Sequence, residues 1–230
     1  MIRSLLLLLF VVVPLREVEN VKISFPVHLQ QEKIFFSYSN DNFSQQLRRI
    51  NGRLTAEIKS INYTHLNLNF RVFLNERKLA ELDRDTKEFV MSLFDDSISF
   101  EQYFKNVSIF LEKNVKYTEK DLPQDTASVL LNRKANCVGL ANLTNFLLDC
   151  VGIKNKFVRG FYLNQQGRNT FIPVPHKWME IHLANGVRFF YDPQRQRFSS
   201  NYILTRYDTN FTAVRKFKVL LIEKSKQVLN

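Results

Sequence analysis

The spacing of apolar positions changes period along the chain. Near the N-terminus it alternates. Val21-Lys22-Ile23-Ser24-Phe25-Pro26-Val27 and Leu66-Asn67-Leu68-Asn69-Phe70-Arg71-Val72 place apolar side chains at every second position, the period of a half-buried strand. Lys33 to Tyr38 and Arg53 to Lys59 are weaker strand candidates, with Asn51-Gly52 as a turn signal before the second. Residues 20–80 therefore read as a small β-rich region. From about residue 82 the spacing lengthens to three and four. Asp83-Arg84-Asp85-Thr86 leads into Phe89, Val90, Leu93 and Phe94, and Ser99-Phe100-Glu101-Gln102 leads into Phe104, Val107, Phe110 and Leu111, so two capped helices are predicted. Asn114 to Thr118 reads as a short extended piece, and Pro123 opens a short helix over Gln124 to Leu131.

The strongest helical pattern follows. Leu140, Leu143, Phe146, Leu147 and Cys150 recur at three- and four-residue steps, Asn136 is a good N-cap, and Gly152 ends the run. Cys137 is thereby predicted at the first helical position, where unpaired backbone N–H groups and the positive end of the helix dipole favour a thiolate. Arg133 and Lys134 act in the same direction. Cys150, beside Val151 and Ile153, reads as an ordinary core residue. A helix separates the two cysteines by roughly 20 Å at ~1.5 Å per residue, too far for a disulfide.

Beyond this helix, Lys156 to Leu163 reads as a strand and Gln165 to Asn169 as a loop. Pro173-Val174-Pro175 is stiff and extended. It leads into His176 to Leu183, the turn residues Ala184-Asn185-Gly186, and Val187 to Pro193, a predicted hairpin. Loop length decides which residues share a face. A two-residue Asn185-Gly186 loop sets Asp192 opposite Met179, on the face away from His176. A three-residue loop with Gly186 as the left-handed bulge residue sets it opposite Trp178, on the same face as His176. The three-residue loop is the expectation.

Composition narrows the picture. The 230 residues are 45% hydrophobic and 24% charged, ordinary for a folded chain with a core. A net charge of +11 raises the question of an anionic partner, but Lys and Arg are scattered without a basic run or nucleic-acid motif. No nucleic-acid partner is expected. Met1-Ile2-Arg3-Ser4 followed by the apolar run Leu5 to Val13 reads as an export signal, too short to span a bilayer. Pro14, Leu15 and Arg16 stand where a small-residue cleavage site belongs, so the segment is either removed or kept as a membrane tether. The expected location is periplasmic, secreted or tethered outside the cytoplasm. A free thiol in such a compartment needs a reason, and catalysis is one.

Thiol catalysis needs an activated sulfur, an imidazole to exchange protons with it, and a group that holds the imidazole's tautomer. Cys137, His176 and Asp192 supply these in order. Trp178 is a candidate substrate contact, with packing beside the site as its other reading. His182, about 20 Å from His176 at ~3.3 Å per strand residue, is excluded from the site. His28 and His65 lack partners at metal-ligand spacing, so neither a metal nor a cofactor is expected.

These residues carry a resemblance. Asn136-Cys137-Val138-Gly139-Leu140-Ala141, Gly152-Ile153, Arg159-Gly160-Phe161, His176-Lys177-Trp178-Met179-Glu180 and Tyr191-Asp192-Pro193 together are similar to the transglutaminase-like core of the papain-like thiol superfamily. The resemblance covers roughly Ser99 to Phe198. It implies an α+β fold in which the cysteine-bearing helix packs on an antiparallel sheet. It further implies Cys137 as the nucleophile forming a thioester, His176 as general acid and base, and Asp192 as its orienter. A protein or peptide amide is the implied substrate. Release by water makes a peptidase or amidase, the expected activity; release by an amine makes a cross-linking acyltransferase. The chain departs from the pattern at Ala135, where many members carry glycine, and an inactive binding module of the cell envelope is the alternative. The expected organisation is residues 1–19 as export signal or anchor, 20–80 as the β-rich region, and 81–230 as the transglutaminase-like domain.

Overall fold

The computed structural model describes residues 16–26, 34–50, 53–63, 70–94, 98–165, 171–196, 202–206 and 221–229. The apolar run Leu5 to Val13, the Asn51-Gly52 turn, most of the expected strand over 66–72 and the loop over 166–169 lie outside the described residues.

Two antiparallel sheets, a short parallel pair of strands and a helical layer make up the described fold, a mixed helix and sheet architecture with a β-rich N-terminal region. The first sheet has the order β11 (Leu221–Leu229), β1 (Arg16–Pro26), β4 (Arg53–Tyr63), β3 (Phe43–Ile50), β2 (Tyr38–Ser39). It joins the two ends of the chain, because β11 pairs with β1 from Arg16↔Leu229 to Ser24↔Leu221. Strand β1 begins at Arg16, within the segment expected over residues 1–19, and the β-rich region also holds a short helix, α1 (Glu76–Ala80).

The helices begin where short polar side chains satisfy free amides. Asp83 Oδ1 accepts from Thr86 N at 2.9 Å to start α2 (Arg84–Leu93), and Ser99 Oγ accepts from Gln102 N at 3.2 Å to start α3 (Phe100–Asn114). The next helix, α4 (Thr126–Asn132), starts later than Pro123 predicts, because Asp125 takes the capping role with Ser128 N at 2.9 Å. Between α3 and α4 lies β5 (Lys116–Tyr117), paired in parallel with β6 (Lys134–Ala135) immediately before α5 (Cys137–Asp149).

The second sheet has the order β10 (Tyr202–Leu204), β7 (Lys154–Gln165), β8 (Phe171–His182), β9 (Arg188–Tyr191). Both of its faces are covered. On one side Met179, Ile181, Phe189 and Tyr191 pack with Phe104, Val107, Leu143 and Leu147 of α3 and α5. On the other, Val158, Trp178 and Phe190 pack with Phe35, Phe43, Ala56 and Ile58 from the N-terminal region. Double coverage explains why Trp178, Met179, Glu180 and Ile181 are all buried in succession, where a one-sided strand would alternate. Each large apolar side chain so buried contributes roughly 1.5–3 kcal/mol.

Candidate active site

The cysteine helix is held at both ends. Asn136 Oδ1 accepts from the backbone N–H of Val138 at 2.8 Å and of Gly139 at 3.3 Å. That cap does not engage the Cys137 amide, which stands at the first helical position. Gln124 fixes the approach: its Oε1 accepts from Asn136 N at 2.9 Å, and its carbonyl accepts from Asn142 Nδ2 at 2.7 Å. At the far end Gly152 takes φ +68, and Gly152 N→Asp149 O (3.1 Å) with Ile153 N→Leu148 O (3.0 Å) close the helix as the sequence predicts. Ala135 is extended in β6, and the residue before the helix with positive φ is Arg133, at +52. The missing glycine therefore costs no backbone strain at this position.

The hairpin has the three-residue loop. Leu183 N–H donates to Val187 O at 2.9 Å, Gly186 N–H donates to Leu183 O at 3.0 Å, and Gly186 takes φ +86. The register Met179↔Tyr191 through His182↔Arg188 continues to set Asp192 opposite Trp178. Asp192 then shares a face with His176, and Asp192 Oδ2 lies 2.8 Å from His176 Nε2. A carboxylate only accepts, so Nε2 carries its proton and Nδ1 is left for the sulfur.

Cys137 meets His176 where β9 stops. Leu183 N–H faces β9, so by alternation the Lys177 N–H faces the same way, past the last paired residue of the short strand. There the Lys177 amide and the His176 ring both act on the Cys137 thiol. The same alternation explains Pro173 and Pro175 inside β8: both are turned toward this open edge, so neither removes a ladder bond.

The electrostatics follow from these contacts. Burial pushes the Cys137 thiol up, but the hydrogen bond and charge of His176, with the Lys177 amide, outweigh it and hold the thiol below its ordinary value. Burial pushes His176 down, yet the Asp192 carboxylate and Cys137 outweigh it and raise the imidazole to about 9. Burial likewise opposes ionisation of Asp192, and His176, Tyr202 and Arg195 more than offset this, keeping it a carboxylate. Cys150, by contrast, is fully buried and burial pushes its thiol up to about 12. Neither Cys150 nor Cys137 is in a disulfide.

Trp178 is entirely buried. Its ring stacks on His176 at 6.0 Å and on Tyr202 at 4.8 Å, so it supports the imidazole from beneath and presents no surface to solvent. His182 stays away from the site and bonds Glu180 Oε2 at 3.0 Å. Sequence reasoning missed Arg195 and Tyr202, both on Asp192, and Gln124 behind the cysteine. Arg195 had a readable signal, three residues past the aspartate in a turn. Tyr202 had none, since it arrives by the pairing of β10 with β7.

With this geometry in view, residues 95–193 match the model of the transglutaminase-like superfamily. That segment is similar to a transglutaminase-like core, and proteins of that superfamily are typically cysteine-based enzymes. Solved structures similar in overall shape include a candidate cysteine protease from Cytophaga hutchinsonii, at 13% identity over 94% of this chain and 91% of that one, with a TM-score of 0.45. Another is the periplasmic domain of TgpA from Pseudomonas aeruginosa, at 18% identity over 78% and 73%, with a TM-score of 0.41. No curated protein matches the sequence.

Proposed function

We propose that this protein is an exported thiol enzyme that cleaves an amide bond in a protein or peptide, with Cys137 as nucleophile, His176 as general acid and base, and Asp192 as orienter. The observation that carries the reading is the 2.8 Å bond between His176 Nε2 and Asp192 Oδ2, with the Cys137 thiol at the start of α5 depressed by His176 and the imidazole raised. A depressed thiol beside a raised imidazole favours the thiolate and imidazolium forms. The thiolate attacks the carbonyl carbon, and the Cys137 amide at the helix N-terminus stabilises the developing oxyanion. His176 gives its proton to the departing amine, leaving a thioester on Cys137. The neutral ring then takes a proton from water, which attacks the thioester and releases the acid.

Hydrolysis is favoured over cross-linking because deacylation by water requires no group beyond His176, whereas an amine acceptor requires a second binding site. The alternative of an inactive binding module draws on Ala135 and on the net charge of +11; the extended backbone at Ala135 weakens only the first of these grounds. Export rests on the Met1 to Val13 pattern alone. A fusion of residues 1–19 to a reporter active only outside the cytoplasm tests it, and reporter silence would remove that part of the reading.

The test of the chemistry is the rate of iodoacetamide labelling at Cys137 from pH 4 to 9, read by peptide mass, in wild type and His176→Ala. Cys150 is the internal control. Labelling that is fast below neutral pH and falls at least about tenfold in the variant is the expected result. Labelling that follows an ordinary thiol in both proteins would overturn the reading.

A further inference from the structure

Asp192 is shared unequally. Its Oδ1 accepts from Gln194 N–H at 2.9 Å, while Oδ2 alone receives three donors: His176 Nε2 at 2.8 Å, Arg195 Nη1 at 3.3 Å and the Tyr202 hydroxyl. Arg195 Nη1 also lies 3.2 Å from His176 Nε2. Nε2 carries a proton in order to bond the carboxylate, so this close approach is not a bond. Two donors, each able to bear a full positive charge, are drawn together because they compete for one oxygen.

The guanidinium is held in that place. It stacks 3.6 Å over the centroid of Tyr162, whose ring meets His176 edge-on at 6.3 Å and 63°. The turn that delivers it is pinned as well: Gln196 takes a left-handed φ of +50 and its Nε2 donates to Ser108 O on α3 at 3.0 Å.

We propose that Arg195 is a positioning residue: by contesting Asp192 Oδ2 with the imidazole, it limits how tightly the carboxylate holds His176 and keeps the ring proton available for the leaving group. The inference rests on the thiol-enzyme reading above and goes beyond it, since the Cys137, His176 and Asp192 chain is complete without Arg195. The groups facing the His176 ring are Cys137 from α5, Tyr162 from β7, Tyr202 from β10, Trp178 on its own strand, and Asp192 and Arg195 after β9. Asp192 and the Cys137 thiolate favour the imidazolium, and Arg195 opposes it. Replacing Arg195 with a neutral side chain removes the opposing charge and leaves the carboxylate oxygen to the ring and Tyr202. Both changes hold the ring proton more tightly.

The experiment is a pH titration of the His176 ring by NMR on full-length protein labelled with nitrogen-15 at histidine, the resonance assigned by its loss in His176→Gln. Wild type should titrate near about 9. Arg195→Gln should titrate higher by roughly one unit, and Arg195→Lys, which restores the charge, should move most of the way back. Tyr162→Leu keeps the charge but removes the ring that holds it, and should shift the same way by less; it stands in if Arg195→Gln does not fold. A purely structural role for Arg195 would alter thermal stability and leave the titration in place. A raised wild-type titration that neither Arg195→Gln nor Tyr162→Leu changes would overturn the role of Arg195 and leave the thiol-enzyme reading standing. A wild-type His176 that titrates near ~6.5, with Cys137 labelling as an ordinary thiol, would overturn that reading and this inference with it.

Discussion

Two cysteines on one helix show how position decides chemistry. Cys137 sits at the N-terminus against an imidazole and a strand amide, and its thiol is depressed; Cys150 sits at the C-terminal end in the core, and burial pushes its thiol up to about 12. The partner that makes the difference is His176, and His176 depends on Asp192. Asp192→Asn keeps a hydrogen-bond acceptor for Nε2 but removes the anion. Cys137 labelling at pH 6 is expected to fall at least about tenfold, and urea unfolding to show a loss of about 3 kcal/mol as Arg195 is left without its counter-charge. The raised imidazole also has a pH signature. A group whose folded value lies above its unfolded value of ~6.5 contributes stability that is full below that pH and lost as pH rises through about 9. The depressed Cys137 thiol contributes the opposite slope, so the imidazole's part is read with the sulfur removed: the melting temperature of Cys137→Ala should decline across the window in which its own His176 titrates, and the double variant Cys137→Ala/His176→Gln should lack that decline.

Elements succeed here through their ends and close approaches. The α5 helix begins at Asn136, whose side chain satisfies two amides, so Asn136→Ala should cost about 1 kcal/mol in denaturant titration. The same variant should slow Cys137 labelling below neutral pH, because a frayed first turn no longer holds the sulfur at the Lys177 amide. Gly160 is needed for a different reason. It pairs with His176 on β8 and Leu204 on β10, and a Cβ there would run into the Ile203 carbonyl and stand 2.7 Å from Trp178 Cη2. Gly160→Ala should cost about 2 kcal/mol of overpacking, with labelling of Cys137 reduced because Trp178 is the floor on which His176 stacks.

For the whole molecule, the decisive group is Glu180. It is fully buried, and its carboxylate accepts from Lys156 at 2.6 Å, Asn40 at 3.0 Å, His182 at 3.0 Å and the Tyr38 hydroxyl. Tyr38 and Asn40 belong to the N-terminal region, so one carboxylate ties that region to the sheet that carries His176. Burial opposes its ionisation, and the hydrogen bonds from Lys156, Tyr38, Asn40 and His182 more than compensate. Glu180→Gln should destabilise the fold by about 2 kcal/mol, the scale of lost charge-assisted hydrogen bonds. Limited proteolysis should then cut first on the N-terminal side of β8, while Cys137 labelling in the surviving folded fraction stays near wild type. Equal stability of the two proteins would show that the tie contributes nothing.

Local chemistry was legible where neighbours in sequence are neighbours in space. The cap at Asn136 and the stop at Gly152 depend on residues a few positions apart, so spacing alone determined them; the hairpin's spacing allowed a two- or a three-residue loop, and the need to bring Asp192 onto the face of His176 chose between them. The division into helices and strands from Asp83 to Asp192 followed from the same short-range periods. What tertiary structure decided depends on contacts between distant segments. β11 returns to complete the sheet begun by β1, Tyr202 reaches Asp192 through the pairing of β10 with β7, and Tyr38 reaches Glu180 across 142 positions. Trp178 illustrates the limit: its place on the histidine face was readable, but its complete burial was not, because the N-terminal layer that covers it packs on the sheet through apolar side chains that carry no pairing code.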